Sequence, residues 1–89
     1  METAAAPVGL EAIAQSERDG VVALTVRTRR FAQHIHIDVR GALADDDHFH
    51  LEPGGERVVR LHAARGSTVR GEVRALNGDD AARFSAVLP

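Results

Sequence analysis

The stretch VVALTVR at residues 21–27, followed closely by FAQHIHIDVR at residues 31–40, indicates the fold most directly. In both segments large apolar residues occupy nearly every second position, beginning at Val22 and at Phe31. Because successive side chains of a β-strand point to opposite faces, this spacing predicts two strands, each with one buried face and one solvated face. The β-branched residues in both segments agree with that prediction.

The same alternation recurs along the rest of the chain, and turn residues separate the segments. Arg18-Asp19-Gly20, Pro53-Gly54-Gly55 and Asn77-Gly78-Asp79-Asp80 are typical turn sequences. The predicted strands cover residues 8–15, 20–28, 31–40, 48–52, 56–63, 68–77 and 82–88. The short strands are regularly spaced, and no segment has the pattern of a long helix. The sequence therefore predicts an all-β fold, an antiparallel Ig-like β-sandwich of six or seven short strands.

Both ends of the chain leave an alternative open. Residues 2–14 are rich in alanine and could form a frayed helix. Residues 79–87 could begin a helix with Asp79 as its N-cap. The alternation of apolar residues from Ala82 to Leu88 favours a strand there instead.

The apolar members of the alternating segments form the predicted core. A register error of one residue would move a whole segment's apolar set to the solvent face, so this set also tests the register. The predicted core comprises Leu10, Val22, Leu24, Val26, Phe31, Ile35, Ile37, Phe49, Leu51, Val59, Leu61, Val73 and Phe84.

Composition narrows the classes of function. With 89 residues the chain forms one small domain; we expect residues 1–7 to be a disordered or artificially added start and residues 8–89 to form the Ig-like β-sandwich. The absence of Cys excludes disulfides and thiolate chemistry, and the absence of Trp and Tyr argues against aromatic stacking platforms. A net charge of −2 predicts neither a nucleic-acid nor a membrane partner.

Two His-x-His pairs are the main candidates for chemistry: His34 with His36, and His48 with His50. Residues i and i+2 of a strand share a face, so each pair could bind a metal ion, with Asp38 on the same outward face. A flat outward surface offers little enclosure, and the sequence shows no hydrogen-bonding set that would hold four imidazoles. We therefore expect no native metal site.

The acidic run Asp45-Asp46-Asp47 lacks the alternating ligand spacing of a calcium loop and is interpreted as a polar turn. No pair of carboxylates can be placed across a pocket from sequence, no Ser lies in a nucleophile-elbow context, and no Gly-rich phosphate loop precedes a helix. The sequence therefore predicts no catalytic residue, no cofactor-binding residue and no cofactor.

One segment carries a family resemblance. Residues 45–61, DDDHFHLEPGGERVVRL, resemble part of the small Ig-like domain that closes β-mannosidases of glycoside hydrolase family 2. That domain carries an Asp-Asn-(aromatic)-Phe-Asp-Leu-x-Pro-Gly-Glu run before a Val-rich strand, and residues 31–39 resemble its preceding strand. The run departs from the pattern at His48 and His50 and has an extra residue at Gly55. The matching positions are Asp47, Phe49, Leu51, Pro53, Gly54 and Glu56.

The resemblance, which covers about residues 20–77, implies a non-catalytic C-terminal accessory domain. Its parent enzyme would hydrolyse terminal β-D-mannose residues, and its partner would be the rest of that chain, either the catalytic barrel or a neighbouring domain. The family's catalytic residues lie in the barrel and have no counterpart here, and we expect the isolated domain to be monomeric. The alternatives are a free-standing Ig-like protein-binding module that acts through its edge strands, and a metal-binding module that uses the histidines.

Overall fold

Eight β-strands build the fold in the computed structural model, which describes residues 6–88. They are β1 (Glu11–Arg18), β2 (Val21–Arg27), β3 (Ala32–Arg40), β4 (Ala42–Ala44), β5 (Phe49–Leu51), β6 (Glu56–Ala63), β7 (Thr68–Arg74) and β8 (Ala81–Val87). The all-β prediction is confirmed, with one strand more than expected. The additional strand is β4, whose three residues are too few to show an alternating pattern. Within the described residues no helix is long and apolar enough to cross a membrane.

The strands form two antiparallel sheets, in the orders β1-β2-β6-β4 and β5-β3-β7-β8. The strands β1, β2, β3, β6, β7 and β8 take the places of strands A, B, C, E, F and G of the immunoglobulin arrangement. The short strands β4 and β5 take the D and C′ places, and the chain visits them in the reverse of the usual order. The chain therefore changes sheet three times between β3 and β6, at β3 to β4, at β4 to β5 and at β5 to β6.

The core lies between the inner faces of the two sheets. Every predicted core residue except Phe31 is buried, because the alternation places these side chains on the inner faces. The largest fully buried apolar side chains belong to both sheets and include Leu24, Ile35 and Leu61. Residues that the prediction omitted complete the core, namely Val8, Val21, Ala32, Val69, Ala75, Ala82 and Leu88.

The prediction that Phe31 is a core residue is wrong, since its side chain is 42% exposed. The pairing of β3 with β5 shifts register between Ala32 and Ile35, and His34 has a left-handed φ of 48°. Two residues rather than one separate buried Ala32 from buried Ile35, as in a β-bulge. Because of the extra residue, odd-numbered positions point inward after the bulge and even-numbered positions point inward before it. Phe31 therefore lies on the surface.

The two ends of the fold meet through the carboxylate of Asp80. This side chain accepts hydrogen bonds from the backbone N–H groups of Val8, Gly9 and Leu10 at 3.0–3.1 Å. The contact holds the segment that leads into β1 against the turn before β8.

The helix alternative for residues 79–87 is wrong, because this segment forms β8. The helix alternative for residues 2–14 is wrong where the structure describes it, because β1 begins at Glu11, three residues later than the predicted strand over 8–15. Ala6 makes an isolated parallel bridge with Gly78. Residues 1–5 of the predicted start, and Pro89, lie outside the described residues.

Candidate functional site

The acidic run at residues 45–47 connects the edges of the two sheets. Asp45 continues the pairing of β4 with β6, because its N–H donates to the carbonyl of Arg60 at 3.0 Å and its carboxylate accepts the N–H of Arg60 at 3.2 Å. Asp46 forms an ion pair with Arg57 of β6 at 3.0 Å. The guanidinium of Arg57 also lies over the ring of Phe49, 4.8 Å from its centroid. The run is thus bound to the first sheet before the chain enters β5.

Asp47 turns toward the second sheet. Its Oδ1 accepts hydrogen bonds from the backbone N–H groups of Ile37 and His48, both at 2.9 Å. Its own N–H donates to Asp46 Oδ1 at 2.8 Å. Its other oxygen, Oδ2, lies 3.0 Å from Nδ1 of His36 and 3.8 Å from Nδ1 of His48. One carboxylate therefore meets the side chains of both histidines while its position is held by backbone groups.

The same contacts set the protonation of this carboxylate. Partial burial raises the pKa of Asp47. The hydrogen bonds from Ile37 and His48, together with the nearby imidazoles of His36 and His48, outweigh this effect and bring the pKa below its ordinary value. Asp47 is consequently an anion at neutral pH, with an oxygen available to a cation or to an imidazole N–H.

Four histidines form two contacts between strands rather than along them. The rings of His36 and His48 stack with centroids 5.1 Å apart, and those of His34 and His50 meet edge to face at 5.0 Å. The backbone N–H of His34 also donates to Nδ1 of His50 at 3.1 Å. His62 lies on β6, in the other sheet.

Two apolar side chains border the four histidines. Phe31 stacks on the ring of His50 at 6.0 Å. A shallow surface concavity is lined by His34, His36 and His48 together with Arg74, Ala75 and Leu76. Leu76 is 70% exposed, so apolar surface lies directly beside the imidazoles.

The sequence prediction named the four histidines but selected Asp38 as their neighbouring carboxylate. The structure pairs Asp38 with Glu72 in the register of β3 and β7 and places Asp47 beside the histidines instead. Sequence reasoning assigned Asp47 to a polar turn. Its position directly before His48 was the available signal, but the approach to His36 depends on the folding of β5 against β3.

The arrangement has the ligand atoms to hold a cation. One ligand atom each from His36, Asp47 and His48 lies within 4.8 Å of the other two. We refer to these three residues as the His36–Asp47–His48 cluster. In the described residues it is the only group of three or more candidate metal ligands with this proximity.

A second surface lies on the outer face of β3, β7 and β8. Arg40, Arg70 and Arg83 surround the adjacent carboxylates of Asp38 and Glu72 in a wide, shallow depression. Glu72 is paired with Arg74 at 2.7 Å. This charged face is open to solvent and has none of the enclosure of a substrate pocket.

Comparison of the chain with protein-family models, with curated proteins and with solved structures gave no match.

Proposed function

We propose that this chain is a non-catalytic β-sandwich accessory domain of a β-mannosidase-like glycoside hydrolase. The parent enzyme would hydrolyse terminal β-D-mannose residues through two carboxylates located elsewhere in its chain. The domain would pack against the catalytic barrel or a neighbouring domain, where it stabilises the enzyme or shapes the rim of its cleft. The proposal starts from the similarity of residues 45–61 and 31–39 to the closing domain of those enzymes.

The proposal that the domain is non-catalytic is supported mainly by the structural role of residues 45–61, the segment that carries the resemblance. Phe49 and Leu51 are buried, with 6% and 7% of their surface exposed. Asp46 and Asp47 direct their carboxylates to Arg57 of one sheet and to backbone and histidine groups of the other. These side chains maintain the junction between the sheets, which is the role expected of a framework motif.

The placement of carboxylates agrees with this proposal. A glycosidase needs two carboxyl groups that flank the scissile bond, separated by about 5–9.5 Å across a bound sugar. Asp38 and Glu72 lie side by side on one outward sheet face, so both would approach a ligand from the same direction. A sugar resting on this face would therefore not lie between them.

The edges of the sheets favour the accessory domain over a free-standing module that binds by strand addition. Such binding needs a long exposed edge whose N–H and C=O groups are unpaired. The edge strands β4 and β5 have three residues each. The other two edge strands, β1 and β8, have eight and seven residues but lie against each other.

Sequencing the genomic locus upstream of Met1 tests the accessory role. We expect the reading frame to continue upstream through several hundred residues that encode a catalytic barrel. A stop codon in frame directly before Met1 would contradict the proposal and favour the free-standing module.

An activity assay tests the non-catalytic part separately. The purified 89-residue chain should show no hydrolysis of an aryl β-mannoside, while a complete β-mannosidase serves as the positive control. The matched variant is Glu72→Gln, which removes one member of the adjacent carboxylate pair. Turnover that follows this polypeptide through repurification and is lost in Glu72→Gln would show that the domain is catalytic.

A further inference from the structure

We propose that the His36–Asp47–His48 cluster binds one divalent transition-metal ion of the zinc class. This inference departs from the sequence-based expectation of no native metal site. It does not depend on which enzyme the domain belongs to. The observations behind it are the convergence of three ligand atoms, the fixed position of the carboxylate and the nature of the donor atoms.

The ligand atoms are close to the separation that a metal requires. Zn²⁺ binds imidazole nitrogen and carboxylate oxygen at about 2.0–2.2 Å, so ligand atoms around a tetrahedral ion lie about 3.3 Å apart. Asp47 Oδ2 is 3.0 Å from His36 Nδ1 and 3.8 Å from His48 Nδ1. All three ligand atoms lie within 4.8 Å of one another. Binding of one ion by all three atoms would require the two exposed imidazole rings to rotate toward Asp47 Oδ2.

The carboxylate is oriented before any ion arrives. Asp47 Oδ1 is held by the N–H groups of Ile37 and His48, which leaves Oδ2 directed at both imidazoles. Metal sites depend on such outer hydrogen bonds to fix their ligands. The sequence-based expectation rested on the lack of hydrogen bonds that would hold the imidazoles; in the folded chain the ligand that is held is instead the carboxylate of Asp47.

The backbone at His48 places the second imidazole. His48 has a left-handed φ of 56°, an uncommon conformation for a residue other than glycine. In this conformation the ring of His48 stacks on the ring of His36 at an interplanar angle of 18°. His36 and His48 belong to different segments, so the two imidazoles meet only in the folded chain.

The donor set selects the class of metal. Two imidazoles and one carboxylate suit Zn²⁺ and neighbouring first-row ions, whereas Ca²⁺ and Mg²⁺ prefer sites made entirely of oxygen. The side chains of His36 and His48 are 49% and 63% exposed, so water can complete the coordination. The guanidinium of Arg74, which also lines the concavity, forms an ion pair with Glu72 at 2.7 Å.

Calorimetric titration of the metal-free 89-residue chain with ZnCl₂ at about pH 7.5 tests the site, because metal binding requires deprotonated ligands and is therefore favoured above neutral pH. We expect one Zn²⁺ per chain with a micromolar Kd, and no binding of Mg²⁺ under the same conditions. His36→Ala and His48→Asn should each weaken binding at least tenfold; Asn is chosen at position 48 because it tolerates a left-handed φ. In ¹⁵N spectra of the imidazoles, Zn²⁺ should shift His36 and His48 and leave His62 unchanged.

The matched control is His62→Ala, which removes an exposed histidine on the other sheet. It should bind Zn²⁺ with the affinity of the unmodified chain. Asp47→Asn should weaken Zn²⁺ binding, although the amide oxygen of Asn can still accept the N–H of Ile37. His36→Ala removes a ligand without changing that hydrogen bond at all. Thermal melts in EDTA establish that each variant is folded before it is titrated.

Three results would overturn the proposal. The first is a Kd weaker than about 1 mM for the unmodified chain. The second is an equal loss of affinity in His62→Ala and His36→Ala, which would indicate nonspecific binding to surface histidines. The third is binding that persists within threefold in folded His36→Ala and His48→Asn, because both imidazoles would then be dispensable.

Discussion

Asp80 Oδ2 accepts a hydrogen bond from the backbone N–H of Leu10 at 3.0 Å, although the two residues are 70 positions apart in the chain. The same carboxylate also receives the N–H groups of Val8 and Gly9. These three donors belong to the segment that enters β1, and Asp80 directly precedes β8. The contact therefore joins the first and last strands of the sandwich through one ionised side chain.

The stability of the domain should depend on the ionisation of Asp80. Partial burial raises the pKa of Asp80, but the N–H groups of Leu10, Val8 and Gly9 outweigh it, and the net pKa is below the ordinary value of 3.8. The contribution is therefore fully present above pH 3.8 and is lost as the pH falls through the lower pKa of the folded state. Asp80→Asn should be less stable than the unmodified chain at pH 6, and this difference should shrink below pH 3.8.

Urea unfolding between about pH 2 and pH 7 measures this difference, and Asp79→Asn is the matched control. Asp79 is exposed and takes no part in the three hydrogen bonds to residues 8–10, so its variant should keep the pH profile of the unmodified chain. Part of the pH dependence should survive in Asp80→Asn, because the pKa of Asp47 is lowered as well. Equal profiles for the variants at positions 79 and 80 would contradict the role of Asp80.

Two phenylalanines provide a test of the register. Phe49 is 6% exposed, whereas Phe31 is 42% exposed. Phe49→Ala should destabilise the domain by about 3–5 kcal/mol, because it removes buried apolar surface and leaves a cavity. Phe31→Ala should cost less than about 1 kcal/mol, as expected of a surface substitution. Denaturant unfolding of both variants measures the contrast, and similar losses would show that the bulge before Ile35 is misplaced.

Gly71 lies where β7 is paired with both β3 and β8, and a side chain cannot be accommodated there. A Cβ at this position would lie 2.2 Å from the carbonyl oxygen of Asp38 and 3.0 Å from the ring of Phe84. Gly71→Ala should therefore destabilise by about 3 kcal/mol or more, since backbone of a paired strand would have to move.

Gly54→Ala is the control for the glycine substitution. Gly54 has a φ of 76°, and no atom lies within 4 Å of the point that a Cβ would occupy, so only its backbone conformation resists the change. That cost is about 1–2 kcal/mol. Thermal or urea unfolding should rank Gly71→Ala well below Gly54→Ala in stability, and the reverse order would refute the close approach of β3 to β7.

The bulge at His34 predicts different responses to glycine at two neighbouring positions. His34 has a φ of 48°, so glycine relieves backbone strain there while it increases the entropy of the unfolded chain. His34→Gly should leave the free energy of unfolding within about 1 kcal/mol of its original value. Gln33→Gly replaces a residue without positive φ, so no backbone strain is relieved and it should cost about 0.5–1 kcal/mol more than His34→Gly. Equal losses in both variants would indicate a regular strand through residues 33 and 34.

The zinc titration and the activity assay address separate properties of the domain. The His36–Asp47–His48 cluster could bind zinc in an accessory domain that has no catalytic role. Conversely, failure of zinc binding would leave the resemblance of residues 45–61 unaffected. The two proposals can therefore be accepted or rejected independently.

Local sequence pattern was enough to predict seven of the eight strands and most of the core. Alternation with a period of two is a local property, because it follows from the geometry of an extended backbone and the need to bury one face. For this reason residues such as Leu24, Ile37 and Val59 were placed correctly without knowledge of their partners. Turn residues at Gly20 and Pro53 similarly marked the ends of strands through their own backbone preferences.

The exposure of Phe31 and the neighbours of the histidines depend instead on how the strands pair. The bulge at His34 arises where β3 pairs with β5. The resulting switch in which residues point inward depends on hydrogen bonds between segments that are distant in sequence. Asp47 reaches His36 because its carboxylate accepts the N–H of Ile37 across that same junction. A local pattern assigns a residue to a face, but pairing between strands decides which side chains share that face, since the contacts form only when both strands are in place.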